Sequence, residues 1–143
     1  MTQKLFTDTL SYHLAQLCKA HRSQAEALLS EIGLHTGQEI LLMHMWLNDG
    51  CNQTELVDQI CVQPATITKS LDRLEAAGFV QRRADADDRR VSRIYLTPAG
   101  RALEAKVEVA WQELERQSFD QLSSDEQETL RGLLIKVRAS LDR

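Results

Sequence analysis

The sequence lacks most of the features that mark secreted, membrane-bound or disulfide-rich proteins. Its 143 residues contain no apolar run of 18 or more, so we expect no membrane-spanning helix. The N-terminus has no basic start, apolar stretch and cleavage site in the order of a signal peptide, so we expect a cytoplasmic protein. The three cysteines (Cys18, Cys51 and Cys61) are an odd number without Cys-x-x-Cys spacing, which favours reduced thiols.

Motifs for catalysis and for metal binding are also missing. The chain has only six glycines, no glycine-rich phosphate loop, no Gly-x-Ser-x-Gly and no His-Glu-x-x-His. Its four histidines all lie in the first third and show no His-x-x-x-His spacing. We therefore expect no enzymatic activity, no cofactor and no metal site.

Charge is distributed unevenly along a chain whose net charge is −4. Residues 63–93 hold seven cations and five anions, which gives +2, and the remainder carries −6. A nucleic-acid-binding surface is therefore expected within this stretch, and the acidic remainder should weaken non-specific binding to phosphates.

A helix is predicted to begin at Pro64 and to end just before Gly78. Proline is suited to the first helical position, where its missing N–H would have no partner. Ile67, Leu71 and Leu74 recur at helical spacing and define a buried face. Glycine can then end the helix in the left-handed conformation.

The opposite face of this helix has the composition that entry into a DNA major groove requires. The residues expected to point outward are Ala65, Lys69, Asp72, Arg73 and Ala76, with Thr66 and Thr68 flanking them. Small residues and hydroxyls allow close approach to bases, and long cations reach phosphates or guanine edges.

A β-hairpin is predicted directly after this helix. Residues 79–83 and 91–96 alternate as strands do, and Ile94 and Leu96 share one face. The charged run 85–90 between them places arginines at the hairpin tip. A helix followed by a basic hairpin is the layout of a winged helix-turn-helix.

Hydrophobic spacing predicts further helices on both sides of this unit. Their expected bounds are 4–31, 36–48, 53–60 and 98–118, with a last helix after Ser123. Expected N-caps are Thr36, Asn52, Thr97 and Ser123, and Glu39, Glu55 and Glu126 would complete capping boxes. The 36–48 helix is apolar nearly all round, which predicts burial on several sides. The long apolar stripes of the terminal helices predict association into a twofold dimer.

Several motifs resemble the MarR family of bacterial transcription regulators. They are Asn52-Gln53-Thr54-Glu55-Leu56, Leu71-Asp72-Arg73-Leu74-Glu75, Gly78-Phe79-Val80, Arg82-Arg83, Asp88-Arg89-Arg90 and Leu96-Thr97-Pro98-Ala99-Gly100. The resemblance implies a mainly α fold with a small β-hairpin and one domain over residues 1–143. In that domain, 35–97 would form the winged helix-turn-helix lobe, and 4–31 and 98–141 would form dimerisation helices.

The resemblance further implies a homodimeric repressor that binds a pseudo-palindromic DNA operator. The residues expected to form the DNA-binding site are Gln63, Ala65, Thr66, Thr68, Lys69, Arg73, Arg83, Asp88, Arg89 and Arg90. Asp88 would orient Arg90 for entry into a minor groove, and Arg89 would contact phosphate. Gln63 departs from the Ser or Thr that often caps this helix in the family.

A small-molecule effector, phenolic or a lipophilic anion, is expected to release the operator. The pocket residues expected for it are Tyr12, His13, His21, His35 and Trp46. Two alternatives remain open. The switch could be oxidation of the Cys18 thiol, which we nevertheless expect to be buried and inert, or the winged fold could bind a protein instead of DNA.

Overall fold

The computed structural model describes residues 3–60 and 63–142, and its helices and strands follow the predicted order, with a separate short helix at Gln3–Thr7 and a short strand at Cys51–Asn52 in addition. These are α1 (Gln3–Thr7), α2 (Leu10–Ser30), α3 (Gln38–Leu47), β1 (Cys51–Asn52), α4 (Gln53–Ile60), α5 (Pro64–Ala76), β2 (Val80–Ala84), β3 (Ser92–Leu96), α6 (Pro98–Phe119) and α7 (Ser124–Leu141). The strands form one antiparallel sheet in the order β1-β3-β2. The predicted mainly helical fold with a winged helix-turn-helix is confirmed.

The predicted helix over 4–31 is wrong in one respect, because it is interrupted before Leu10. Thr9 takes an extended conformation and caps α2, its hydroxyl accepting a hydrogen bond from the Tyr12 N–H at 3.1 Å. The same hydroxyl donates to the Phe6 carbonyl at 2.8 Å and so closes the end of α1. Threonine competes with the helical backbone for these groups, which explains the break.

The predicted capping box at the start of α3 is also wrong. The N-cap is Gly37, at a φ of 99° that favours glycine, and it makes no side-chain cap. Thr36 instead donates both its backbone N–H and its hydroxyl to the Glu26 carboxylate of α2. Glu39 reaches back to the Gly37 N–H at 2.9 Å, and its burial raises the pKa of its carboxyl.

The two other predicted capping boxes, in which the paired residues are three positions apart, are confirmed. The Asn52 side chain accepts from the Glu55 N–H at 2.8 Å, and Glu55 accepts from the Asn52 N–H. Ser123 and Glu126 form the same reciprocal pair at α7. These caps satisfy N–H groups that the first helical turn leaves open.

The core lies between α3, α4, α5, the sheet and the first half of α6. Its largest members, each at most 2% exposed, include Leu42, Met45, Leu56, Leu71 and Ile94. Burial of α3 is less complete than predicted, because Ile40, Met43 and Leu47 remain exposed on its outer side.

The start of α6 packs tightly against the start of the hairpin. A Cβ at Gly100 would lie 2.0 Å from the Phe79 carbonyl oxygen, so only glycine fits there. Thr97 caps α6 as predicted, its hydroxyl accepting from the Gly100 N–H at 3.1 Å. The Trp46 indole N–H donates to the Gly100 carbonyl at 3.1 Å and ties α3 to the same turn.

The terminal helices expose extensive apolar surface. None of the residues of α7 is buried, and Leu133, Leu134, Ile135, Val137 and Leu141 are all exposed. On α1 and α2, Leu5, Phe6, Leu10, Leu14 and Leu17 are exposed as well.

Candidate nucleic-acid interface

The outward face of α5 is open, as its periodicity predicts. Ile67, Leu71 and Leu74 are at most 1% exposed and anchor the helix to the core. The residues left exposed on the other side are Ala65, Thr66, Lys69, Asp72, Arg73 and Ala76. In the described part of the chain, Lys69 and Arg73 take part in no ion pair. Both cations therefore remain available to a ligand.

The start of α5 is fixed partly by a side chain of α4. The Thr68 hydroxyl donates to the Pro64 carbonyl at 3.0 Å and accepts from the Gln53 side-chain amide at 2.8 Å. Gln63 occupies the N-cap position without a side-chain cap, which agrees with its departure from Ser or Thr. The predicted turn before it falls at Cys61 and Val62, which lie outside the described residues.

Arg82 joins the hairpin to α5, a role that sequence reasoning missed. Its Nη1 lies 2.6 Å from the Asp72 carboxylate and 3.6 Å from that of Glu75, and its Nη2 donates to the Thr68 carbonyl at 3.2 Å. The Arg82 backbone N–H also donates to Glu75 at 2.8 Å. Its Nε is buried without a hydrogen-bond partner among the described residues. The exposed Asp72 carboxylate therefore pairs with a cation of the same chain, Arg82.

Asp85 organises the turn of the hairpin. Its carboxylate accepts from the backbone N–H groups of Asp87 at 2.7 Å and Asp88 at 3.1 Å, and from the Arg93 guanidinium. Hydrogen bonds from Arg93 and then from these two N–H groups lower the pKa of Asp85 to about 2. Arg93 also donates to the Gly50 carbonyl at 2.9 Å and fastens the hairpin to the turn after α3.

The tip of the hairpin presents two arginines. The Arg90 Nε lies 3.1 Å from the Asp88 carboxylate, and the Arg90 backbone N–H donates to the same oxygen at 3.1 Å. This pair, at the spacing that the sequence suggested, leaves the Arg90 side chain 91% exposed. Arg89 is exposed beside it, in no ion pair with a described residue.

Arg83 lies on the strand that leads to this tip. Its guanidinium carbon is 4.9 Å from the centre of the Tyr95 ring, and its Nη2 donates to the Gln81 side chain at 3.0 Å. Stacking on the ring restricts Arg83 while its charge stays unneutralised. Of the seven cations in residues 63–93, Arg82 and Arg93 are therefore structural, and the other five face outward.

The five residues expected in an effector pocket do not share one cavity. Trp46 lines a cleft of about 510 Å³ between α3 and α6. His21 lines a cleft of about 340 Å³ between α2, α6 and α7, near Phe119. His35 pairs with Glu26, and Tyr12 and His13 contact each other on α2.

A third cleft, of about 710 Å³, runs along α2. Cys18, Lys19 and Arg22 line it, together with Glu26. Hydrogen bonds from Thr36 lower the pKa of Glu26 to about 2, with a smaller contribution from His35. This carboxylate therefore stays ionised beside the two cations.

The cysteines differ in their surroundings. The expectation that Cys18 is buried is wrong, because α2 presents this thiol at the surface. Cys51 is buried in the core, and desolvation raises the pKa of its thiol. Nowhere among the described residues do three His, Cys, Asp or Glu side chains come together as metal ligands would. Within 3–60 and 63–142, every helix is too short or too polar to span a bilayer.

Comparison with known proteins finds a matching family and several similar structures. The family model of the MarR family matches residues 38–92. A probable transcriptional regulator from Pseudomonas aeruginosa, known from its crystal structure, is 34% identical with a TM-score of 0.83, over 91% of this chain and 97% of that chain. A mutant of MarR from E. coli, crystallised with operator DNA, is 26% identical with a TM-score of 0.82, over 93% and 97% of the two chains. The HTH-type transcriptional regulator TtmR from Methylorubrum extorquens is 34% identical over 101 residues, which are 66% of this chain and 52% of that protein. The chain therefore belongs to the MarR family of winged helix-turn-helix, DNA-binding transcription regulators.

Proposed function

We propose that a homodimer of this chain represses transcription by occupying a pseudo-palindromic operator. The observation that carries the proposal is that α5 presents Lys69 and Arg73, and the hairpin tip Arg89, as exposed cations in no ion pair with a described residue, while Arg90 is exposed beside them in its pair with Asp88. In each copy, α5 would lie in a major groove with Lys69 and Arg73 directed at phosphates or guanine edges. Arg90 would enter the adjacent minor groove, and Arg89 would contact phosphate.

Pre-organisation of the hairpin supports this assignment. Asp85 fixes the turn through two backbone N–H groups, and Asp88 holds Arg90 in one orientation while leaving it exposed. A cation that is already oriented loses less conformational entropy when it binds.

Homodimerisation is supported by the exposed apolar faces of α1, α2 and α7. Monomeric proteins rarely expose apolar patches of this extent. In the proposed assembly, residues 4–31 and 98–141 pack against their copies, and 35–97 forms the DNA-binding lobe. A twofold dimer would present its two α5 helices to successive major grooves about 34 Å apart.

The test is fluorescence anisotropy with DNA from upstream of the gene and with scrambled DNA, across a range of salt. An operator-reading protein should prefer the upstream DNA by at least about 1,000-fold. Arg90→Ala and Lys69→Ala should each weaken that binding by about tenfold or more. Arg116→Ala, which removes an exposed arginine of α6, is the matched control and should leave it unchanged.

Equal, weak binding to both DNAs by wild type would contradict the proposal if selection from random DNA also yields no preferred site. It would favour a winged-helix module that binds a protein. In that case, Arg90→Ala and Lys69→Ala would leave the affinity for the protein partner mostly unchanged.

A small-molecule effector is the second part of the proposal. The resemblance to the family implies a phenolic or lipophilic anion, and the cleft along α2 offers Lys19 and Arg22 to such a ligand. A phenolic carboxylate such as 4-hydroxybenzoate should then lower operator affinity, and Arg22→Gln should reduce this effect. An unchanged response in that variant would exclude this cleft.

Oxidation of Cys18 is a second candidate switch, and its exposure on α2 favours it. Peroxide should then release wild-type protein from DNA and fail to release Cys18→Ser. Release that persists in this variant would exclude Cys18 as the sensor.

A further inference from the structure

The Thr68 hydroxyl is occupied by two hydrogen bonds within the protein, although Thr68 is exposed on α5. It donates its proton to the Pro64 carbonyl at 3.0 Å and accepts from the Gln53 side-chain amide at 2.8 Å. A hydroxyl has one donor and two acceptor positions. Thr68 therefore has no proton left for a hydrogen bond to a ligand, and one acceptor position remains.

The same two bonds favour one orientation of the Thr68 side chain. A threonine within a helix divides its population between two χ1 rotamers. The amide of Gln53, at the first position of α4, favours the rotamer in which the hydroxyl faces Pro64 and Gln53. The γ-methyl group is then the part of the side chain that is turned away from both partners.

The neighbours of Thr68 permit close approach by a large ligand. Ala65, one turn earlier, is exposed and carries only a methyl group, and Lys69 is exposed beside Thr68. Thr68 therefore lies at the edge of the face that the proposed function directs into a major groove.

We propose that Thr68 recognises a thymine of the operator through its γ-methyl group and that Gln53 is the residue that positions it. Of the four standard bases, thymine alone has an apolar group, the C5-methyl, on its major-groove edge, and a threonine methyl can contact it. The Thr68 hydroxyl cannot donate to the acceptors of guanine, adenine or thymine while it donates to Pro64. The inference rests on the proposed function and deepens it, because it assigns a base to one residue of α5.

Uracil in place of thymine tests this contact, because it removes the C5-methyl and keeps every hydrogen-bonding group of the base. In the operator found by anisotropy or by selection, each thymine is replaced at symmetric positions of both half-sites, and the loss of affinity is the uracil penalty. One lost methyl contact costs about fourfold, so the penalty at the position that Thr68 contacts should be about tenfold or more for the symmetric pair. Specific operator binding that no uracil substitution weakens would overturn the proposal.

Two substitutions at Thr68 separate the methyl group from the hydroxyl. Thr68→Ser removes the methyl and should reduce the uracil penalty at that position to about twofold or less, whereas Thr68→Val keeps a methyl and should leave it close to that of wild type. Thr129→Ser is the matched control, since it removes the same methyl from an exposed position of α7, and it should leave the penalty unchanged.

Two results with these variants would overturn the proposal. One is a uracil penalty that persists undiminished in Thr68→Ser. The other is an operator affinity that falls by about tenfold in Thr68→Val, which would favour recognition of a base amino group by the remaining acceptor position of the hydroxyl.

Gln53→Met tests the positioning role, because it keeps a side chain of similar length without the amide donor. Both rotamers of Thr68 should then be populated, so the uracil penalty at that one position should fall about twofold while the penalties at other thymines stay unchanged. A purely structural role of Gln53 would weaken binding to the thymine and uracil operators equally, and that result would overturn the positioning role.

Failure of this inference can be distinguished from failure of the proposed function. Specific operator binding without a uracil penalty that depends on Thr68 overturns the inference alone. Absence of any preferred DNA, even after selection from random sequences, contradicts the proposed function and the inference together. Circular dichroism confirms that the variants fold, and the uracil substitutions with wild-type protein hold even if a variant does not.

Discussion

Replacing Arg82 should weaken operator binding although this side chain lies inside the protein rather than on the outward face of α5. Its guanidinium connects β2 to Asp72, Glu75 and the Thr68 carbonyl, and the Arg82 side chain is only 22% exposed. Arg82→Gln keeps a polar side chain but removes the charge and the bidentate reach. The change should loosen the position of α5 relative to the hairpin.

The magnitude follows from the exposure of the partners. The Asp72 and Glu75 side chains are 58% and 40% exposed, so solvent screens both ion pairs. Two screened pairs and one hydrogen bond to a carbonyl together contribute about 1–2 kcal/mol. For a chain of this length, that loss lowers the melting temperature by about 3–8 °C. If the same free energy holds α5 and the hairpin in their binding geometry, operator affinity falls by about fivefold to thirtyfold.

Differential scanning calorimetry measures the melting temperature, and fluorescence anisotropy across a range of salt concentrations measures the operator affinity. The slope of affinity against salt should not change in Arg82→Gln, because no phosphate contact is removed, whereas Arg89→Ala should lower it by about one. Arg101→Gln is the matched control, since it removes an ion pair, Arg101–Asp49, that involves no residue of α5 or of the hairpin strands. Wild-type affinity in a folded Arg82→Gln, or a reduced salt slope, would refute the positioning role.

Three further predictions concern stability and the thiols. Gly100→Ala should lower the free energy of unfolding by about 1–3 kcal/mol, because its Cβ would meet the Phe79 carbonyl. Gly132→Ala, at an exposed helical position, should instead raise it by about 0.5–1 kcal/mol. Thermal denaturation that gives the opposite order of stabilities would contradict this. Because the folded pKa of Glu26 is lowered from 4.5 to about 2, its stabilising contribution is present above pH 4.5 and is lost as the pH falls towards 2. Glu26→Gln should therefore be less sensitive to acid over that interval, and equal melting-temperature losses in both proteins would contradict the assignment. A disulfide reagent such as DTNB should modify Cys18 rapidly in native protein and Cys51 only after unfolding, since Cys51 is buried and its thiol pKa is raised; rapid titration that persists undiminished in Cys18→Ser would count against it.

Local signals explain why much of the fold could be predicted. Asn52 with Glu55, and Ser123 with Glu126, interact over three residues, so spacing in the sequence determines them. The hairpin was recognisable because apolar residues two positions apart, Ile94 and Leu96, share one face of a strand. Gly78 marked the end of α5, because glycine favours the positive φ that the structure shows there.

Features that depend on distant partners could not be predicted in this way. Thr36 satisfies the local pattern of a cap, but Glu26 of another helix binds it and Gly37 becomes the cap. Arg82 was counted only among the seven cations of residues 63–93, and its pairing was not predicted, because its carboxylate partners face it only after the hairpin folds back. The surface position of Cys18 likewise depends on which face of α2 the rest of the chain covers.

The absence of any buried side chain on α7 has a consequence for how the protein melts. A helix of 18 residues is marginal in water, and the chain's own core does not hold this one. In the proposed dimer, the order of α7 would be linked to association, so that dilution would melt α7 before the lobe that contains α5. Far-ultraviolet circular dichroism should show a helical fraction that rises with protein concentration at fixed temperature. Cellular abundance would then act as an input to the regulator, since only copies concentrated enough to pair would hold two recognition helices at a fixed distance.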